Sequence, residues 1–374
     1  MKVLITGADG FVGKNLALRL SEFEQYEVLR FTRGSDRGTL AEQMRECDAI
    51  VHLAGENRPE DPAQFRLVNA DLTREITELA ARRDDPPPIL FASSAQAGND
   101  TPYGRSKRAG EEALEEYGQC GLATVHRFPG IFGKWCRPNY NSVVATFAHN
   151  AARGLDLPVN DPEAPLDLVY IDDVMNAVIG WLEAAPGRDA GFEWGQVDPV
   201  YRTSVGEIAD RMQSYAALPE TRTVDDVGTG FSRALYSTYV SYLPPEKVAY
   251  DLTVHSDPRG RFAEMLRTRD AGQVSFFTAG PGVTRGGHYH HTKTEKFLIV
   301  QGEALFRFRN MASGDTFEMK TSAARPRVVD TVPGWAHDIT NIGDDEMIVV
   351  LWANEMFEPA RPDTIAHPLE SARA

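Results

Sequence analysis

Short apolar runs alternate with segments of helical periodicity over residues 1–180. The apolar runs have the length of buried strands and lie at residues 3–5, 27–31, 49–53 and 89–91. Helical patterns lie between them, at residues 15–22 and 71–81. This alternation is typical of parallel strands joined by crossover helices. We therefore expect an α/β fold with a doubly wound parallel sheet in this part of the chain.

The pattern changes after residue 250 to short β-type segments separated by glycine and proline. These segments lie at residues 273–277, 296–300, 304–308, 316–319 and 347–352. Regularly spaced short strands predict an all-β sandwich or barrel. Just before the change, Pro244 and Pro245 end a tyrosine-rich segment, because proline cannot continue a helix. We place the boundary there, which gives domains at residues 1–247 and 248–374.

The charge of the chain argues against general nucleic-acid binding. Its 374 residues include 54 Asp and Glu against 39 Lys and Arg, a formal net charge of −15. No apolar run approaches the ~20 residues of a membrane-spanning helix, so we expect no membrane partner. Met1 leads directly into a strand pattern rather than a cleavable leader, which predicts a cytoplasmic location. The three cysteines lack paired spacing and predict neither a disulfide framework nor a cysteine zinc site.

A glycine-rich turn follows the first strand pattern. Gly7, Gly10 and Gly13 stand where the strand gives way to a helical pattern, with Phe11 and Val12 among them. Glycine permits a sharp turn and lets the backbone approach a pyrophosphate, which then lies at the partially positive amino terminus of the helix. An ordinary strand-to-helix turn is the alternative. The position after the first strand favours a dinucleotide site in a Rossmann-like sheet.

The second strand pattern ends without the acidic residue that would hydrogen-bond a free adenosine ribose. Arg33 follows it instead and can pair with a 2′-phosphate. This favours NADPH over NADH as the cofactor. A solvated surface arginine is the alternative, and Arg30 and Arg37 can also fill the role.

Tyr103 and Lys107 are four residues apart, so both project from one face of a predicted helix. A nearby ammonium group is expected to lower the pKa of Tyr103, which can then exchange a proton with a substrate oxygen. Ser94 ends a buried strand pattern, and its hydroxyl can bind the same oxygen. A tyrosine and a lysine at this spacing are common on helix surfaces, and Ser93 is an alternative to Ser94.

A second concentration of chemistry lies at His288, His290, Glu295 and His337. Histidines two apart on a strand face the same side. Together with the carboxylate and a histidine from another strand, they can enclose one divalent ion. Zinc, iron, nickel and manganese all suit such ligands. A solvated turn is the alternative for an isolated histidine cluster.

The amino-terminal motifs together resemble an extended short-chain dehydrogenase/reductase. They are Gly7, Gly10 and Gly13, residues 52–55, Ser94, Tyr103 with Lys107, residues 127–133 and residues 170–174. The resemblance implies that the serine orients the substrate carbonyl, the tyrosine transfers the proton and the lysine assists beside the cofactor. One departure is the short interval between Ser94 and Tyr103, which is below that usual in extended members.

The same resemblance implies further binding residues. Cofactor contacts are expected at Leu53, Ala54 and Gly55. Contacts to a nucleotide-sugar diphosphate are expected at Asn139, Asn141 and Ser142. A helix cap at Asn141 or Ser142 is the alternative and is compatible with that role.

The carboxy-terminal motifs resemble a cupin. The first cupin motif is matched by Gly282, His288, His290, Glu295 and Gly302. The second is matched by residues 333–341, which include His337. The resemblance implies a jelly-roll domain in which the three histidines and Glu295 bind a divalent metal. Some sugar-modifying cupins use a histidine as a base without a metal, which is the alternative.

Over essentially the whole chain, the motifs and the junction between the domains resemble the CapF family of bifunctional capsular polysaccharide enzymes and its O-antigen relatives. The junction and flanking motifs lie at residues 235–244, 257–262, 284–297 and 362–364. The resemblance implies a bacterial homodimer with a zinc-bearing cupin. It also implies synthesis of UDP-2-acetamido-2,6-dideoxy-L-talose, a precursor of UDP-N-acetyl-L-fucosamine, from UDP-2-acetamido-2,6-dideoxy-β-L-arabino-hexos-4-ulose.

Each domain is then expected to perform one step. The cupin would epimerise carbon 3, with Tyr289, His291 and Lys293 as candidates for the acid and the base. The reductase domain would use NADPH to reduce the ketone at carbon 4. Three alternatives stay open: another nucleotide sugar such as a dTDP-linked 4-keto sugar, a purely structural or dimerising cupin, and a non-catalytic sensor of NADP and sugar nucleotide.

Overall fold

The computed structural model describes residues 1–248, 250–290, 293–311, 314–332, 334–360 and 362–369. Its internal contacts divide the chain into two compact units. One comprises Met1–Gln213 with Ala234–Pro244, and the other comprises Ser214–Arg233 with Pro245–Ala374. Residues 214–233, which precede the predicted boundary, therefore group with the later unit. The domain boundary after residue 247 stays a prediction.

The α-helices of the described chain are α1 Phe11–Ser21, α2 Arg37–Glu46, α3 Leu72–Ala81, α4 Pro102–Tyr117, α5 Val143–Arg153, α6 Ile171–Ala184, α7 Val205–Ala216, α8 Leu218–Thr221 and α9 Gly230–Val240. A π-helical turn covers Phe65–Asp71, and 3₁₀ turns cover Ala95–Gly98 and Pro245–Lys247. None of the helices in the described residues is long and apolar enough to cross a membrane.

The strands of the first unit are β1 Lys2–Thr6, β2 Glu27–Phe31, β3 Ala49–His52, β4 Ile89–Ser94, β5 Leu122–Phe128, β6 Gly130–Phe132, β7 Pro165–Tyr170, β8 Gly191–Gly195 and β9 Tyr201–Ser204. Six of them form a parallel sheet in the order β2-β1-β3-β4-β5-β8. A smaller sheet has the order β6-β7-β9. The predicted doubly wound parallel sheet is confirmed.

The apolar runs form this sheet because their side chains are buried between the helices. Leu4, Ile50 and Phe91 from neighbouring strands are fully buried and share one cluster with Leu114 of α4. In the strand order, β2 lies on one side of the β1–β3 pair and β4 lies on the other. The connections that leave β1 and β3 therefore run in opposite directions, and a crevice opens at the carboxyl ends of these two strands. Ligands of open α/β sheets bind in such a crevice.

The strands of the second unit are β10 Thr223–Val224, β11 Val254–Asp257, β12 Gly260–Thr268, β13 Gly272–Ala279, β14 Thr284–Tyr289, β15 Glu295–Gln301, β16 Glu303–Asn310, β17 Thr316–Ser322, β18 Val328–Asp330, β19 Trp335–Asn341, β20 Met347–Ala353 and β21 Ile365–Ala366. One sheet has the order β10-β12-β13-β20-β15-β18, with β11 beside β12, and the other has the order β17-β16-β19-β14-β21. Phe277, Phe297 and Phe306 belong to a core shared by the two sheets. The predicted all-β fold is confirmed.

Candidate active site and metal centre

The glycine-rich turn has the backbone geometry that a dinucleotide site requires. Gly7 has a φ of +68°, which favours glycine. A Cβ on Gly13 would lie 2.3 Å from the Gly7 carbonyl oxygen, so only glycine lets the helix start this close to the strand. The helix begins at Phe11 with Gly10 as its N-cap, and no side chain caps its amide groups. These amides remain available to a phosphate.

The loop after β3 packs closely against this glycine-rich turn. A Cβ on Gly7 would lie 2.8 Å from the Ala54 nitrogen, and a Cβ on Gly55 would lie 3.1 Å from Lys107 Nζ. The Ala54 N–H donates a hydrogen bond to Thr6 Oγ1 at 3.2 Å. The structure therefore brings the predicted cofactor residues from residues 7–13 and 53–55 together at the crevice.

Ser94 ends β4, and its side chain shares a hydrogen bond with the side chain of Tyr103. Burial raises the pKa of Tyr103, and a side-chain hydrogen bond with Ser94 offsets only part of that effect. The expected lowering of the Tyr103 pKa by Lys107 is wrong, since the phenol is buried and the ammonium group is directed elsewhere. A phenol with a raised pKa keeps its proton at neutral pH. It can then donate this proton to the oxygen of a ketone while the ketone is being reduced.

Lys107 is nearly fully buried on α4, and its Nζ donates to the Ala92 carbonyl at 2.9 Å. Burial lowers the pKa of Lys107 to about 8, although the Glu111 carboxylate acts in the opposite direction. The ammonium group also lies 5.0 Å from the centre of the Phe91 ring. Lys107 is thus held at the end of β4, beside Gly55 and on the same helix as Tyr103.

Glu111 is a buried charged residue that the sequence analysis missed. It lies one turn after Lys107 and accepts a hydrogen bond of 2.5 Å from the Ser93 hydroxyl. Arg127 binds it with two hydrogen bonds of 2.8 and 2.6 Å. Its spacing of four residues from Lys107 was the one available signal, since its contacts with Ser93 and Arg127 depend on the sheet. The Ser93 hydroxyl therefore donates its hydrogen bond to Glu111, whereas the Ser94 hydroxyl contacts Tyr103.

This difference predicts opposite effects for the two serines. Ser94→Ala should slow ketone reduction by about 10²-fold, because the substrate oxygen loses a hydrogen-bond donor. Ser93→Ala should leave kcat close to that of the wild type and lower the free energy of unfolding by about 1.5–3 kcal/mol, because a charged group loses a buried partner. Steady-state kinetics and denaturant unfolding of both variants measure this, and the reverse pattern would assign the catalytic role to Ser93.

The lowered pKa of Lys107 predicts a falling pH profile. The ammonium form is lost as the pH rises through about 8, so kcat/KM for reduction should fall there, since kcat/KM reports groups of the free enzyme. Glu111→Gln removes the anion that raises the pKa of Lys107 and should move this fall to lower pH. Arg127→Met also breaks the ion pair between Arg127 and Glu111, but it keeps the Glu111 carboxylate. In this variant the fall in kcat/KM should therefore stay at the wild-type pH. An unmoved profile in Glu111→Gln would contradict this role.

Arg33 lies just past β2, where its side chain is 88% exposed and pairs with Glu56 at 2.6 Å. Glu56 directly follows the predicted Leu53–Gly55 contacts but was not among the residues predicted from the sequence. Arg30, an alternative to Arg33, pairs with Asp9 at 2.8 Å. The other alternative, Arg37, pairs with Glu75. The carboxylate that pairs with Arg33 belongs to the segment that follows β3, at the carboxyl edge of the sheet.

The three predicted substrate residues lie together before and at the start of α5. The Ser142 side chain accepts a hydrogen bond from the Ala145 N–H and caps the helix, as the alternative reading predicts. Asn139 has a φ of +55°, and its N–H donates to Thr146 Oγ1 at 2.9 Å. Asn141 is exposed. Their contacts to a sugar nucleotide stay a prediction.

His288, His290, Glu295 and His337 converge in the second unit. One possible ligand atom from each lies within 4.8 Å of all the others. His290 Nε2 lies 3.2 Å from Glu295 Oε2, and His337 Nε2 lies 3.5 Å from the same oxygen. Burial lowers the pKa of His288 to about 4, so this imidazole is neutral at pH 7 and has a lone pair available for a metal.

The electrostatics of the cluster favour a cation. Burial alone raises the pKa of Glu295, but its contacts with His290 and His337 outweigh burial and hold the pKa below the ordinary value. His337 Nε2 is buried and, although it lies 3.5 Å from Glu295 Oε2, it makes no hydrogen bond of acceptable geometry with any described residue. A buried carboxylate and an unsatisfied imidazole nitrogen at one point fit a divalent metal with nitrogen and oxygen ligands. The chemistry of the set does not select zinc over other metals.

The carboxy-terminal segment supports this cluster. His290 Nδ1 lies 2.6 Å from the Asp363 carbonyl oxygen, which can fix the imidazole so that Nε2 faces the cluster. The buried Lys293 has its Nζ 2.8 Å from Thr364 Oγ1, which holds its ammonium group against the same segment. Tyr289, another acid or base candidate, lies in β14 opposite Ile365. His291, the remaining candidate, and Pro333 of the second cupin motif lie outside the described residues.

Comparison with known proteins extends over both units. The family described as "NAD dependent epimerase/dehydratase family" matches residues 3–191, and the "Polysaccharide biosynthesis C-terminal domain" matches residues 255–365. The chain is 50% identical over 369 residues to the UDP-2-acetamido-2,6-beta-L-arabino-hexul-4-ose reductase of Pseudomonas aeruginosa, and the match covers 98% of each chain.

Two solved structures are similar to this chain, one over its whole length and one over about two thirds of it. The capsular polysaccharide assembling protein CapF from Staphylococcus aureus is 40% identical with a TM-score of 0.90, and the match covers 99% of this chain and 100% of that chain. The UDP-glucuronic acid 4-epimerase of Bacillus cereus in complex with NAD is 18% identical with a TM-score of 0.53 and covers 65% of this chain and 96% of that chain. The second similarity is one of fold alone.

Proposed function

This chain belongs to the NAD dependent epimerase/dehydratase family and, within it, to the family of UDP-2-acetamido-2,6-beta-L-arabino-hexul-4-ose reductases, and on that premise we propose that it is a bifunctional nucleotide-sugar enzyme. It epimerises carbon 3 of UDP-2-acetamido-2,6-dideoxy-β-L-arabino-hexos-4-ulose and then reduces the ketone at carbon 4 to give UDP-2-acetamido-2,6-dideoxy-L-talose. The product is a precursor of UDP-N-acetyl-L-fucosamine for capsule or O-antigen. The match of 98% of both chains supports this assignment over a structural role for the second unit.

Reduction is assigned to the residues at the crevice of the first unit. NADPH supplies the hydride that carbon 4 receives. The amides at the start of α1 would bind the pyrophosphate, and Lys107 would hold the nicotinamide ribose beside Tyr103. Ser94 donates a hydrogen bond to the substrate carbonyl. Tyr103 gives its proton to the oxygen as negative charge develops there, and general acid catalysis of this kind is typically worth ~10²–10⁴-fold.

Epimerisation is assigned to the histidine and glutamate cluster of the second unit. The proton on carbon 3 is acidic because the neighbouring ketone delocalises the charge left behind. A divalent metal, with zinc the expected ion, would supply positive charge that stabilises this anion. His288, His290, Glu295 and His337 would hold it. The Asp363 carbonyl orients His290, and Tyr289, His291 and Lys293 are the candidates for moving the proton between the two faces of the sugar.

The observation that carries the proposal is the presence of both chemical sets in one chain. The Ser94, Tyr103 and Lys107 set would assist the reduction of a ketone by the nicotinamide cofactor, and a metal held by the histidine and glutamate cluster would acidify the carbon next to one. Incubation with the UDP-linked 4-keto sugar and NADPH, followed by NMR of the product, tests this, with the dTDP-linked sugar as the matched substrate. If the protein converts the dTDP-linked sugar but not the UDP-linked sugar, the substrate assignment is overturned.

The finer points of the proposal rest on the resemblance to the CapF family. They are the use of NADPH, the identity of the metal as zinc, assembly as a homodimer and a cytoplasmic location in a bacterium. Sedimentation of the purified protein checks the oligomeric state, and mass spectrometry of the metal checks the ion. The family itself establishes a nicotinamide dinucleotide cofactor but not which one.

A further inference from the structure

Glu56 places a fixed carboxylate next to the arginine that is expected to read the cofactor. β2 and β3 flank β1 in the sheet, so the segments that follow them lie on either side of the glycine turn. Arg33 comes from the first segment and Glu56 from the second, and their side chains meet at 2.6 Å. The adenosine ribose of a dinucleotide binds at this edge of such a sheet.

The two partners differ in how firmly they are held. The Arg33 side chain is 88% exposed, whereas that of Glu56 is 13% exposed. The fully buried Asn69 binds the Glu56 backbone on both sides, since its Oδ1 accepts from the Glu56 N–H at 2.8 Å and its Nδ2 donates to the Glu56 carbonyl at 3.0 Å. Tyr140 Oη also donates to Glu56 Oε1 at 3.4 Å. The carboxylate is therefore the anchored partner, and the guanidinium group is the one that can turn.

An anchored carboxylate has opposite effects on the two forms of the cofactor. A ribose 2′-hydroxyl can donate a hydrogen bond to it. A 2′-phosphate is repelled by it and must also draw Arg33 out of the ion pair. We propose that Glu56 is a specificity-determining residue that weakens discrimination in favour of the 2′-phosphate, so that the chain accepts NADH as well as NADPH. This inference rests on the proposed reductase function and assigns a role that Arg33 alone does not account for.

Binding of adenosine fragments tests the proposal without any turnover. The probes are adenosine 2′,5′-bisphosphate and adenosine 5′-monophosphate, which differ only in the 2′-phosphate, and isothermal titration gives the two Kd values. Glu56→Gln should raise the preference for the bisphosphate about tenfold. Glu56→Asp keeps the charge but withdraws it from Arg33 and should give a smaller rise. Arg33→Met should lower the preference. Glu46→Gln removes the same charge from an exposed pair with Lys2 and should change nothing.

The outcomes separate this inference from the proposed function. An unchanged or reduced preference in both Glu56 variants would overturn it and would show that Glu56 merely orients Arg33. If the wild-type protein binds neither probe, the result would instead contradict the dinucleotide site on which the reductase function depends. With the full cofactors, the ratio of kcat/KM for NADPH to that for NADH should rise by the same factor in Glu56→Gln, and a ratio that stays constant counts against the proposal.

Discussion

Tyr103→Phe is expected to abolish ketone reduction while proton exchange at carbon 3 continues. The variant removes the phenolic hydroxyl and keeps the ring, whose centre lies 5.8 Å from that of Phe65, so the fold should be preserved. Without the general acid, NADPH oxidation in the presence of the epimerised ketone should fall by about 10²–10⁴-fold. Spectrophotometry of NADPH gives the reduction rate, and deuterium uptake gives the exchange rate.

Tyr117→Phe is the matched control for this experiment. Tyr117 is a buried tyrosine on the same helix, and its hydroxyl donates to the Pro87 carbonyl. Its loss should cost stability without slowing reduction. Reduction at the wild-type rate in Tyr103→Phe would remove Tyr103 from the mechanism. Loss of both activities in a folded Tyr103→Phe protein would contradict the division of chemistry between the two sets of residues.

His337→Ala should empty the metal centre and stop epimerisation. This imidazole is one of four candidate ligands, and its Nε2 has no hydrogen bond within the described part of the chain. Changes to supporting residues alone lower metal affinity ~10–100-fold, so loss of a ligand should lower it by at least about 100-fold. Metal analysis by plasma mass spectrometry should show substoichiometric metal, and deuterium uptake at carbon 3 should fall in parallel.

His255→Ala provides the control for the metal experiment. His255 lies in β11 of the same unit and is exposed, outside the cluster. Its replacement should leave the metal content and the exchange rate unchanged. Reduction of an already epimerised ketone should survive in both variants. Full metal content together with normal exchange in His337→Ala would show that His337 is not a ligand.

Local patterns predicted the elements that lie close in sequence to their partners. The turn at Gly7 and Gly13 was readable because the strand, the glycines and the helix are contiguous, and the structure shows the close backbone approach. The small sheet of β6, β7 and β9 was not predicted, since its strands are short and pair over long separations. Residues 214–233 group with the later unit through contacts between residues that are distant in sequence, and composition does not reveal such contacts.

The side chains of the site could be named from the sequence, but their environments could not. The cluster of His288, His290 and Glu295 with the distant His337 followed from motif spacing, and the structure brings the four together. The pKa of Tyr103 was expected in the wrong direction, because burial is a property of the folded chain. Glu56 and Glu111 went unnoticed because the residues that give them significance, Arg33 and Arg127, are far away in sequence.

The central claim is that one chain performs epimerisation and reduction in sequence, and NMR of the UDP-linked 4-keto sugar in deuterated water tests it most directly. The sugar is incubated with the purified protein first without NADPH and then with it, beside a sample with His337→Ala. Deuterium should enter at carbon 3 before any cofactor is added, and the ketone should disappear only after NADPH is supplied. Oxidation of NADPH without deuterium at carbon 3 would contradict the claim and leave a reductase with a structural carboxy-terminal unit.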